Sequence, residues 1–329
     1  MRHHGTHSIG GLLRRLVRVF VLALLLAAVL PGCGGSGGSS TPAEAAPAKA
    51  APKASAQEEK ASGASFALPA EVRVPKMRVT TDPTTIDTSG VNSGYVGAAA
   101  RSSSRLKFQV ACGEMAYNYD LPSDGTPVLF PVNMGNGDYA FRIMENIEGS
   151  TYAELDAAYV SVKLSSEFDP YLIPNIYCSY TADSACVAKA REICAKATNE
   201  GEAVREVCNF VAAHVSYDYD KAETLAKSSG YIPNPDETLS TKKGVCFDFA
   251  ALSAAMLRSL GLPTKVMTGY VSPSNLYHSW IMVYADGTWQ SAQFSVKPNQ
   301  WSRCDVTFAS AGAGSVTGDG TTYTDRYAY

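Results

Sequence analysis

The period of the apolar residues changes once along this chain, near Tyr180, and that change constrains the fold more than any other feature. From about 78 to 165 apolar residues recur at every second position: Leu106, Phe108 and Val110; Tyr117 and Tyr119; Val128, Phe130 and Val132; Tyr139, Phe141 and Ile143; Val160, Val162 and Leu164. A period of two lines one face of a β-strand. Turn signals separate the runs, among them Ser123-Asp124-Gly125 and Gly135-Asn136-Gly137-Asp138. Asn136 and Gly137 both tolerate positive φ, so the pair predicts a hairpin. Short alternating strands at this spacing predict an antiparallel β-sandwich-like domain over 66–170. It contains no nucleophile–base pair, and its expected role is a spacer or substrate-presenting module.

Beyond Tyr180 the period is helical, over a region taken as 171–329. Asp183 is placed to cap a helix running to about Asn199, with Val187, Ala190, Ile193 and Cys194 at helical spacing. A second helix, about Glu202 to His214, carries Val204, Val207, Phe210 and Val211 on one stripe. A short helical piece near Asp220 to Ser229 stops at Gly230, and a proline-broken loop, Tyr231 to Ser240, leads to Gly244-Val245-Cys246. Strands then helices with further strands make the chain α+β.

The first segment reads as an address. Arg14, Arg15 and Arg18 precede an apolar run, Val19 to Leu30, too short to span a bilayer. It ends in Leu30-Pro31-Gly32-Cys33, which resembles a bacterial lipobox. The resemblance implies a signal over 1–33 and a lipid on Cys33, hence an extracytoplasmic, membrane-anchored protein; an ordinary secretory signal cut nearby is the alternative. Residues 34–65, rich in Gly, Ser, Ala and Pro, bury too little apolar surface to offset their ordering entropy and form a flexible tether.

A net charge of -3 argues against a nucleic-acid partner. Zinc-type Cys/His spacing, GxGxxG and GxxxxGK[ST] are all missing, so neither metal nor cofactor is expected.

The chemistry points to Cys246. Phe249, Leu252, Met256, Leu257 and Leu260 give residues 247–260 helical periodicity, ended by Gly261 and Pro263. Cys246 therefore stands at a helix N-terminus, where free N–H groups and the helix dipole favour thiolate. A thiol nucleophile also wants a base. Of five histidines, His3, His4 and His7 lie in the signal, leaving His214 and His278. His214 ends an amphipathic helix and is explained as a C-terminal cation or packed polar residue. His278 stands in a strand-like run with Trp280, Met282 and Tyr284 on its face. An orienting carboxylate is expected from Asp305, in the strand-like run Trp301 to Phe308, on the same face as Trp301, Arg303 and Thr307. Asp286 is nearer in sequence but precedes Gly287, a two-residue hairpin signal.

Gly244-Val245-Cys246-Phe247-Asp248-Phe249-Ala250, with Leu257 to Lys265, resembles the nucleophile helix of the bacterial transglutaminase-like superfamily. Thr268-Gly269-Tyr270 and His278-Ser279-Trp280 resemble its following strands, and Trp301 to Phe308 its final motif. Ser279 replaces the more usual Ala, and Phe249 a frequent Tyr. The resemblance covers roughly 200 to 310. It implies a papain-like core, a helix carrying Cys followed by antiparallel strands, with a Cys246–His278–Asp305 triad. Asp248, Arg258 and Tyr270 are read as fold or helix-surface residues. The implied chemistry is acyl transfer: the thiolate attacks an amide carbonyl, His278 protonates the leaving group, and water or an amine resolves the thioester. The Cys246 N–H is an expected oxyanion donor. Substrates would be peptide, protein or cell-wall amides. Three functional readings stay open: a cysteine peptidase or amidase, a protein-glutamine transglutaminase, and a non-catalytic surface binding module.

Six other cysteines, Cys112, Cys178, Cys186, Cys194, Cys208 and Cys304, allow fifteen full pairings. Cys194 with Cys208 is the least strained, and Cys304 is read as packing or disulfide.

Overall fold

The computed structural model describes residues 66–272, 275–290, 295–311 and 322–329. The expected signal, Cys33 and the tether lie outside the described residues.

Seven strands open the fold: β1 (Thr84–Asp87), β2 (Tyr95–Ala100), β3 (Leu106–Cys112), β4 (Met115–Leu121), β5 (Val128–Pro131), β6 (Gly137–Glu148) and β7 (Thr151–Val162). They form two antiparallel sheets, ordered β1-β2-β5 and β4-β3-β6-β7. The alternating residues meet between them, with Val96, Phe108, Val110, Phe130, Phe141 and Ile143 all fully buried. The Asn136-Gly137 hairpin does not form. β5 pairs with β2, whereas β6 pairs with β3 and β7, so the chain crosses between sheets there. Turn residues specify a local bend, not the sheet that the next strand joins. The two-residue hairpins are Gly113-Glu114, linking Cys112 to Met115, and Gly149-Ser150, linking Glu148 to Thr151.

The second region contains α1 (Ala185–Ile193), α2 (Glu200–His214), β8 (Ser216–Tyr217), α3 (Tyr219–Leu225), α4 (Pro235–Thr241), β9 (Lys243–Gly244) and α5 (Cys246–Ser259). Then come β10 (Thr264–Val271), β11 (Leu276–Ala285), β12 (Trp289–Gln290), β13 (Ser295–Val296), β14 (Gln300–Cys304), α6 (Val306–Ser310) and β15 (Tyr323–Ala328). A four-stranded antiparallel sheet, β14-β11-β10-β15, is the frame. Phe249, Leu252 and Met256 of α5 share one core with Val266, Ile281 and Val283 of that sheet. Gly261 stops α5 at φ +82°, and the Leu262 N–H reaches back to Leu257 O at 3.1 Å, a Schellman-type end.

Several expected boundaries move. The N-cap of α1 is Ser184, not Asp183, because Asp236 of α4 accepts the first free N–H groups, those of Ala185 and Cys186, at 3.2 and 2.8 Å. The proline-broken loop holds α4, with Pro235 in the first turn and the Asn234 side chain capping Glu237 N–H. Proline is well placed at a helix start, where no N–H is needed. Asp286-Gly287 does not fold back on β11; the chain runs on to β12, which pairs with β13.

The two regions are not insulated from each other. Phe66, Leu68, Val72 and Val74, expected in the sandwich-like domain, pack on the helical core. Tyr327 and Tyr329, from the far end of the sequence, pack on the sandwich core. Tyr177 joins them, 4.7 Å from the Tyr329 ring, 5.6 Å from Tyr119 and 5.1 Å from Phe247, next to Cys246. Arg258 is buried, not on the helix surface, and donates to the backbone oxygens of Thr264, Ile173 and Tyr329 at 2.7–2.8 Å.

Candidate active site

α5 begins at Cys246 because Asp248, three residues past the N-cap Val245, accepts the Val245 N–H at 2.8 Å. That half of a capping box fixes the entry of the chain into the helix. Asp248 is fully buried, the fold residue of the two expected alternatives, and also binds the Tyr231 hydroxyl and Lys221 Nζ, the latter at 2.8 Å. As at any helix start, the first N–H groups have no acceptor within the helix. Cys246 itself is half-exposed, whereas Cys178, Cys186, Cys194, Cys208 and Cys304 are buried.

His278 is buried on β11, its ring stacked against Phe308 at 4.5 Å and against Trp280 at 6.3 Å. Its Nε2 donates to Asp305 Oδ2 at 2.8 Å. Burial alone would oppose the imidazolium, but Asp305, hydrogen-bonded to the ring, and the neighbouring Cys246 outweigh it and push the His278 pKa up to about 10. With Nε2 taken by the carboxylate, Nδ1 is the ring nitrogen left for the thiol. An imidazolium beside a half-exposed sulfur is the partner that a thiolate nucleophile requires.

Asp305 is not on a strand. β14 ends at Cys304, and Asp305 is the N-cap of α6, its Oδ1 accepting Phe308 N–H at 3.1 Å. The facing of the two strands is as the parity implies, with Met282 opposite Arg303 and Tyr284 opposite Trp301. Capping aims the carboxylate back along β11 to His278. Asp286 is exposed, and its N–H donates to Glu200 Oε2 at 2.7 Å. His214 ends α2, bonding Leu239 O at 3.0 Å and stacking on Phe210 at 4.7 Å.

The chain brings Cys246, His278 and Asp305 together, and adds Tyr323, whose hydroxyl donates to Asp305 Oδ2 at 2.8 Å. Nothing local marks Tyr323 in the sequence, since its place follows from β15 pairing with β10. Ser279 donates to Met267 O at 2.8 Å, which satisfies its buried hydroxyl, and Phe249 sits in the apolar core. All seven cysteines described are free thiols; Cys208 lies against Cys304, not Cys194, whose thiol instead meets Ala203 O at 3.6 Å. Among the described residues no group of three or more His, Cys, Asp or Glu could hold a metal ion.

Residues 187–294 match the family model described as the transglutaminase-like superfamily. That segment contains the helix led by Cys246 and the strand bearing His278. Over this segment the chain is similar to the transglutaminase-like superfamily. The matched segment is α+β, with a helix packed on an antiparallel sheet. Two curated relatives are 30% identical: a UPF0252 protein of Methanocaldococcus jannaschii over 102 residues (29% of this chain, 29% of the relative) and an uncharacterised protein of Mycobacterium leprae over 149 residues (42% and 48%). The chain thus spans between about a third and a half of the length of the curated relatives it matches. A candidate cysteine protease from Cytophaga hutchinsonii is similar in structure at a TM-score of 0.33 and 18% identity, covering 70% of this chain and 81% of that one.

Proposed function

We propose that this transglutaminase-like protein is a surface-anchored thiol enzyme that cleaves peptide, glutaminyl or cell-wall amides through Cys246, His278 and Asp305. The observation that carries the reading is the buried His278–Asp305 hydrogen bond, 2.8 Å long, beside a half-exposed cysteine at a helix start. The Cys246 thiolate attacks the amide carbonyl while helix N–H groups receive the developing oxyanion. The His278 imidazolium gives its proton to the leaving nitrogen, forming a thioester on Cys246 and a free amine. His278 then takes a proton from water, whose oxygen attacks the thioester, and the carboxylic acid leaves with the thiol restored. Asp305 holds the ring in one orientation and stabilises its charged form.

Water is the favoured acceptor in this reading, and an amine acceptor would make the same centre a transglutaminase. Incubation with a glutaminyl peptide, with and without a labelled primary amine, separates the outcomes. Release without label is the expected result, label in the product indicates transfer, and neither product, with Cys246 intact, leaves a binding module.

A further inference from the structure

Asp305 has more partners than one imidazole. Oδ1 is held by Phe308 N–H at 3.1 Å, while Oδ2 accepts two donors at 2.8 Å each, His278 Nε2 from β11 and the Tyr323 hydroxyl from β15. Tyr323 is placed by several contacts besides this bond. Its ring meets Trp280 edge-on at 4.8 Å, and the Arg303 guanidinium lies 4.0 Å over its face. The close seat of β15 depends on Gly269, where the β10–β15 register shifts. A Cβ there would stand 2.1 Å from Thr324 O and 2.9 Å from the Trp280 indole. Burial and the adjacent Asp305 carboxylate push the Tyr323 phenol well above its ordinary value, so it stays a donor.

A carboxyl torsion has a broad, shallow preference, so one bond to Oδ1 leaves Oδ2 free to swing. Donors arriving from two different strands remove that freedom. We propose that Tyr323 is a positioning residue of the thiol centre, fixing Asp305 Oδ2 in line with His278 Nε2 so that Nδ1 stays turned toward the Cys246 sulfur. The proposal rests on the reading of Cys246 and His278 as nucleophile and base.

Tyr323→Phe retains the ring and loses only the hydroxyl. Two quantities are read on the full chain: the rate at which iodoacetamide alkylates Cys246, and the position of the His278 Nε2–H proton in ¹⁵N-histidine-labelled protein. Tyr323→Phe is expected to slow alkylation about three- to tenfold at neutral pH, the size of one lost hydrogen bond. The N–H resonance should move upfield as Oδ2 swings out of line with Nε2, with the melting temperature within a few degrees of wild type. An unchanged rate, or a slower rate with the resonance unmoved, overturns the positioning role where His278→Ala slows the wild-type reaction. If His278→Ala leaves that reaction unchanged, the nucleophile–base reading fails, and the role of Tyr323 with it.

Discussion

Asp248 Oδ2 accepts the Val245 N–H at 2.8 Å, so a fully buried carboxylate holds the residue directly before Cys246. Tyr231 and Lys221 donate to the same carboxylate, tying the segment before α4 and helix α3 to the start of α5. Asp248→Ala strands these donors and should cost about 1–3 kcal/mol. Asp248→Asn retains an acceptor oxygen for Val245 and should fall between that variant and wild type. Urea unfolding midpoints check the order; equal midpoints for all three proteins would show that the network contributes nothing.

Asp305 and Asp286 make an internal comparison. Asp305→Asn removes the anion that holds the His278 ring and should lower turnover by orders of magnitude with little loss of fold. Asp286→Asn should leave turnover within a few-fold, since Asp286 is exposed and uses its backbone N–H to meet Glu200. Kinetics on variants of equal melting temperature test the ranking, and the reverse order would remove Asp305 from the centre.

His278 makes stability depend on pH. Its pKa rises from the ordinary 6.5 to about 10 on folding, so the folded state binds the proton more tightly. Its contribution is fully present below pH 6.5 and is lost as pH rises through about 10. Wild-type protein should therefore lose more melting temperature between these limits than His278→Gln. Parallel melting curves for the two proteins would refute the buried imidazolium.

The lipid anchor is tested at Cys33. The mature protein should begin with a diacylated or triacylated cysteine, and Cys33→Ala should lose that mass. Membrane retention alone does not decide the matter, because an uncleaved signal also binds membrane. An unmodified N-terminus cut elsewhere, read by mass spectrometry, would contradict the anchor.

What the residues reveal by themselves follows the range of the interactions. The sandwich strands and the helix after Cys246 are legible because period and end signals act within a few residues. Cys246 and His278 are legible because each stands in a distinctive local setting. The sheet crossing at Asn136-Gly137 was not, since a turn signal carries no information on the partner strand. Helix α4 is hidden in the sequence because Pro235 signals a break anywhere but in a first turn, which is where it stands. Asp305 reads in the sequence as a strand residue, whereas in the fold its side chain caps α6 as well as binding His278. Tyr323 was invisible for a related reason: only the pairing of β15 with β10 brings it to Asp305.

The order of these residues along the chain matters for a protein that is made from its N-terminus. Cys246 is synthesised well before the segment that ends in β15, so during translation its sulfur precedes the imidazole, the carboxylate and the phenol that surround it in the fold. An unfolded chain would carry an ordinary thiol. The surroundings of Cys246 would be complete only when β15 docks along β10 and Tyr327 and Tyr329 settle against the sandwich core, so that completed folding is what assembles the site.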